Sequence, residues 1–244
     1  MSLTDTLPRR RDGQSAVNEA AGYDEDRRIS TAGVDDATDV GPVGRLTVGR
    51  VELPSMELSR SLVESTAREY REREPLFLVE QEGIETLPAA LESGEFGRRD
   101  AAWIVRWYYR RFLGDYPDEK RREAEEAFRT NDFDDVRDAI GDALEATDAR
   151  AALDALTRLE AVDVPVASAF LTFADPDVYL AVGPREWAAL RDAGELADPY
   201  PDPPTPADYE TYLERCRSLA DRFDCELYAL YRALWRLSDR TDPS

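Results

Sequence analysis

The chain has 244 residues, 42% of them hydrophobic, enough for one ample domain or for one domain with a tail. It contains no histidine, which excludes imidazole catalysis and histidine-ligated metals, and its two cysteines cannot alone hold a four-thiolate zinc or iron–sulfur site. Acids outnumber bases 52 to 31, a formal charge of −21, and they are spread along the chain rather than gathered as a nucleic-acid mimic would need.

Residues 1–52 lack sustained periodicity and are rich in Asp, Gly, Ser and Thr, so a flexible, disordered arm is expected there. Arg9, Arg10 and Arg11 are followed by no apolar stretch, which argues against a twin-arginine export signal, and no run is long enough to span a bilayer. A reduced, cytoplasmic protein without membrane, metal or cofactor is the expectation. From residue 53 to about 240 the pattern is helical. Leu58, Leu62, Thr66 and Tyr70 share one face of a helix that Pro75 stops, and a shorter helix is expected over 84–93. Asp100 precedes an aromatic helix, Ala101 to Leu113. Pro117 starts a charged helix to about Arg129, Asp132 opens another through Ala146, and Asp148 caps one that ends near Leu159.

An apolar helix follows Pro165, and Asp175-Pro176-Asp177 then signals a turn. Pro184 opens a short helix around Trp187. Residues 197–206 contain five prolines and read as a rigid extended connection, after which Thr205-Pro206 forms a cap and first-turn pair. Two closing helices carry Tyr209 to Phe223 and Leu227 to Leu237 on their apolar sides. No segment reads as a strand, since Leu76 to Val79 is too short, and no internal repeat is present. The fold class expected is all-α.

Lysine occurs once, at Lys120, and every other base is arginine. This acid-rich, lysine-poor composition resembles that of cytoplasmic proteins from salt-accumulating archaea. In molar salt the screening length falls to about 3 Å, so such a surface repels itself little.

The segment from Leu156 to Ser168 spells helix, short hairpin, helix. Leu156, Leu159, Val162 and Ala167 stand at the spacing of the helix-hairpin-helix element of DNA glycosylases, whose motif reads Leu-x-x-Leu-x-Gly-Val-Gly with an alanine in the second helix. The Asp175–Asp177 turn, the Tyr179–Val182 segment and the final helix pair are also similar to the oxoguanine-type branch of that superfamily. The resemblance covers roughly residues 150–237 and implies a multi-helix glycosylase-like fold.

The same alignment implies a loss of activity. The hairpin glycines let a DNA phosphate approach the backbone at a helix N-terminus. Here the hairpin Ala161, Val162, Asp163 and Val164 puts alanine and aspartate in those places, and Asp163 would repel phosphate and cap its own helix. Gly183 stands where the family's catalytic aspartate falls, and the only lysine is remote from the hairpin. No catalytic residue is therefore assigned. Pocket candidates are Trp103, Trp107, Arg185 and Trp187, each weighed against a simple core or ion-pair role. Trp103 and Trp107 are one turn apart and could stack a base, although helical spacing alone already predicts burial. Cys216 lies on an apolar face and reads as a buried thiol. The expected function is a non-catalytic relative of the glycosylases that binds DNA or a protein weakly. The alternatives are an active base-excision enzyme using an unusual acid such as Asp175 or Asp177, and a helical protein-interaction module.

Overall fold

Residues 56–241 are described in the computed structural model, and among them every regular element is a helix. In chain order these are α1 (Arg60–Arg73), α2 (Phe77–Ser93), α3 (Arg98–Arg110), α4 (Asp118–Arg129), α5 (Phe133–Glu145), α6 (Ala149–Leu156), α7 (Val164–Ala174), α8 (Pro184–Asp192), α9 (Pro206–Phe223) and α10 (Leu227–Thr241). The all-α expectation holds for this region, while the arm expected over 1–52 lies outside the described residues.

Half of the helix starts follow from a single polar side chain. Ser59, Asp132, Asp148, Asp163 and Thr205 each accept a backbone N–H of the first turn, filling donors that have no partner within the helix. At Thr205 the bond is reciprocal, because Asp208 accepts from the Thr205 backbone N–H.

The second helix departs from expectation. It begins at Phe77 rather than near residue 84, taking in the segment around Leu76–Val79. Glu80 and Gly83 interrupt its apolar stripe, and both interruptions have tertiary partners. Glu80 is fully buried, accepting from the Tyr70 hydroxyl at 2.6 Å and facing the Arg232 guanidinium. Gly83 lets the helix approach α3, since a Cβ there would lie 2.8 Å from Cη2 of Trp103. The wider scaffold therefore overrides local propensity in this segment.

The helix buried on nearly every side is α7, with Val164 through Phe173 all removed from solvent. Helices α2, α3, α5 and α6 pack against it, while α10 carries α1, α8 and α9 on its own faces. Phe173 joins α7 to α3 by edge-to-face contacts with Trp103 and Trp107, whose ring centroids lie 5.1 and 4.7 Å away.

Between α7 and α8 the buried segment Leu180–Val182 has no regular structure, so side chains must satisfy its backbone. The Tyr212 hydroxyl donates to the Ala181 carbonyl, Tyr108 and Arg111 donate to that of Val182, and the Val182 N–H donates to Ser168 Oγ. These bonds fix where α8 begins, beside Gly183.

Candidate functional site

The hairpin between α6 and α7 is closed at both ends. Val162 N–H donates to the Leu159 carbonyl, and Ala161 lies in the left-handed region at φ 61°. An L side chain tolerates that conformation poorly. Asn131 holds the turn from outside, its amide donating to the Glu160 carbonyl while its Oδ1 accepts the Glu160 N–H at 2.8 Å. At the start of α7 the Asp163 carboxylate accepts Val166 N–H at 3.0 Å. The helix terminus that a phosphate would approach thus already carries a carboxylate. Val162 and Val164 point into the core.

Burial raises the Asp163 carboxyl above its ordinary range, the Val166 N–H opposes the shift, and the neighbouring Asp202 charge adds to it. A raised folded value favours the protonated form. Its stability contribution is complete below the unfolded value and is lost as pH rises through the folded one. Asp163→Asn retains a capping oxygen without the charge. It is expected to equal the parent in stability at low pH and exceed it at neutral pH, as urea titrations at both values would show. Ala161→Gly relieves the left-handed alanine and is expected to stabilise the chain by about 1 kcal/mol in the same titration.

Beside the hairpin, the C-terminal end of α3, the loop after it, the first turns of α7 and α8 and the proline-rich connection enclose an open cavity of about 460 Å³. Its aromatic lining comes from Tyr108, Tyr109, Phe112, Tyr116 and Tyr200, and its charged lining from Asp115, Asp163, Asp202 and Arg185. Tyr109 and Tyr116 lie 4.8 Å apart between ring centroids. Burial raises the phenols of Tyr109, Tyr116 and Tyr200, and the Asp163 and Asp202 charges push Tyr116 and Tyr200 in the same direction. The phenols therefore remain neutral donors at ordinary pH.

Arg185 is committed at the rim. It donates to Asp115 at 2.6 Å and lies 4.6 Å over the Trp235 ring. Among the described residues no cation pairs with Asp163 or Asp202.

Of the four residues singled out from sequence as pocket candidates, Arg185 lines this cavity. Trp103 borders a separate, smaller depression with Gly83. Trp107 is buried against Phe173 and Tyr231. Trp187 is buried too, stacking on Tyr212 and donating its indole N–H to the Asp198 carbonyl. Asp175 caps the end of α7 and Asp177 is exposed, and neither lines the cavity. Sequence reasoning missed Tyr200 and Asp202, treating their segment only as a connector. The signal available was an aromatic and an acid held between prolines, which fix a side chain as well as a path.

Gly183, where the resemblance would put a catalytic aspartate, faces a buried ion pair. The Arg111 Nη1 lies 2.5 Å from Glu186 Oε1 and 3.1 Å from the Tyr231 hydroxyl, with both ion-pair side chains removed from solvent. The guanidinium also lies within 5.5 Å of the ring centroids of Trp107, Tyr108, Phe112 and Trp235. A Cβ at residue 183 would stand 2.5 Å from Arg111 Nη2 and 2.9 Å from Glu186 Oε2. A side chain here would have to displace the Arg111 guanidinium from its partners.

Cys216 is buried and Cys225 half-buried, both as free thiols. Burial raises the Cys216 thiol, which opposes thiolate chemistry. No cluster of acidic or thiol side chains among the described residues is placed to hold a metal, and no described helix is long and apolar enough to cross a membrane. Comparisons of the chain with protein-family models, curated proteins and solved structures gave no match.

Proposed function

We propose that the chain is a non-catalytic binding protein on a helix-hairpin-helix plan similar to that of DNA glycosylases, which binds its ligand in the cavity beside the hairpin. The observation carrying this reading is at Gly183: the space a catalytic side chain would need belongs to the Arg111–Glu186 pair, closed from solvent. The capped hairpin supports it independently, because a helix N-terminus already neutralised by Asp163 has little left to offer a phosphate. An acidic, arginine-based surface also suits molar salt, where counterion release adds little to DNA affinity.

A second reading has one observation in its favour. Asp163 is a carboxyl raised by burial inside an aromatic cavity, the environment of a general acid. An excision enzyme on this scaffold would use Asp163 with Asp202 rather than Asp175 or Asp177.

The two readings separate in a single-turnover assay in molar KCl with duplexes carrying oxidised or deaminated bases. The proposed reading expects no base released by the full chain. Release that disappears in Asp163→Asn or Asp202→Asn would establish the enzyme instead.

A further inference from the structure

The cavity beside the hairpin is lined by five aromatic rings and three carboxylates, with one guanidinium already engaged at its rim. We propose that this cavity is a receptor for a methylated ammonium group. The inference rests on the reading of the chain as a binding protein and names the ligand chemistry of that same site.

Three features converge on it. Asp163 and Asp202 lie close enough for the charge on one to act on the other, and no side-chain cation among the described residues neutralises either. Both carboxylates are open to solvent and give the cavity mouth a negative charge that favours a cation over a neutral or anionic occupant. The aromatic walls then decide which cation. In molar KCl a merely acidic hollow would hold a hydrated potassium ion, whereas rings of Tyr109, Phe112, Tyr116 and Tyr200 replace water poorly around a small ion and well around a weakly hydrated one. Methyl groups on nitrogen spread the charge and give the rings an apolar surface to touch.

The third feature is rigidity. Pro165, Pro184, Pro203 and Pro204 form the remaining wall, so little conformational freedom is left to lose when a ligand enters. The Trp235 ring and the Asp115 carboxylate both engage the rim guanidinium of Arg185.

The experiment is isothermal titration of the full chain in molar KCl with choline and with its uncharged carbon isostere, 3,3-dimethylbutanol. Choline is expected to saturate one site, and the isostere to bind at least about tenfold more weakly, reflecting loss of the cation–π and carboxylate attraction. Asp202→Asn, an exposed change without a packing consequence, should weaken choline about tenfold while leaving the melting temperature near that of the parent. Tyr116→Leu should do the same through the aromatic wall.

Equal binding of choline and isostere would overturn the proposal, since the cavity would then be simply apolar. So would the absence of saturable binding, or choline binding that neither variant changes. A short peptide carrying trimethyllysine distinguishes the source. An affinity equal to that of choline identifies a free small cation, and tighter binding with the same variant sensitivity identifies a modified protein tail. Either result upholds the proposal. Base release in the assay above would refute the non-catalytic reading while leaving the choline titration to be judged on its own.

Discussion

Replacing Glu186 with glutamine is expected to lower unfolding free energy by about 3–5 kcal/mol, the cost of leaving a buried guanidinium without its counter-charge. Arg111 and Glu186 are 2% and 0% exposed, so water cannot take over when one partner is lost. The Tyr231 hydroxyl and the Val182 carbonyl would remain as neutral partners of Arg111, enough to orient it but not to neutralise it. The exposed Arg60 provides the internal control: its pairs with Glu64 and Asp224 are largely in solvent, so Arg60→Ala should cost far less than Glu186→Gln. Urea titrations of both variants in molar KCl decide the point. The double variant Arg111→Met with Glu186→Met should recover much of the loss, because two apolar chains need no mutual compensation. A Glu186→Gln loss no larger than that of Arg60→Ala would show that the pair is solvated in solution.

The second large effect is expected at Trp235, which is 1% exposed and lies against two guanidiniums. Arg111 stands 5.0 Å and Arg185 4.6 Å from its ring, and Phe112 packs 5.5 Å away. Trp235→Ala should cost about 3–5 kcal/mol in the same titration, through lost burial and the cavity left behind. It should also free Arg185 from its platform at the cavity rim. Trp235→Phe keeps an aromatic face and much of the volume, so its loss should be the smaller of the two. If the two variants lose the same stability, the ring's packing does not carry the effect.

These two residues show which parts of the molecule were legible in the sequence. Helix starts were, because a cap is a local device: Asp132, Asp148, Asp163 and Thr205 announce their helices within four residues. The all-helical character was legible for the same reason. The Arg111–Glu186 pair was not, since its members stand 75 residues apart and nothing local marks either as buried. Glu80 misled in the same way, its charge breaking a stripe that α2 completes only by meeting Tyr70 and Arg232.

At the cavity the difficulty was one of facing. Trp107, Tyr108 and Tyr109 are consecutive on α3, yet Trp107 turns to Phe173 while the two tyrosines line the cavity. Helical spacing places all three on buried surface and cannot tell a packed ring from a pocket wall. Arg185 was picked out because the glycosylase resemblance puts it where a pocket would be. Tyr200 and Asp202 come from a segment with no periodicity to read. Gly183, by contrast, was singled out from the sequence, whereas the close approach of the Arg111 guanidinium to it comes from distant chain and was not legible.

On the proposed reading the cavity, and not the hairpin beside it, does the binding. The most direct measurement titrates the full chain in molar KCl with a duplex containing an abasic analogue and with the undamaged duplex, at protein concentrations where choline saturates. No measurable affinity for either duplex is expected, and none induced by the analogue. Selective binding of the abasic duplex, competed by choline, would contradict the proposed reading and make the cavity a seat for damaged DNA.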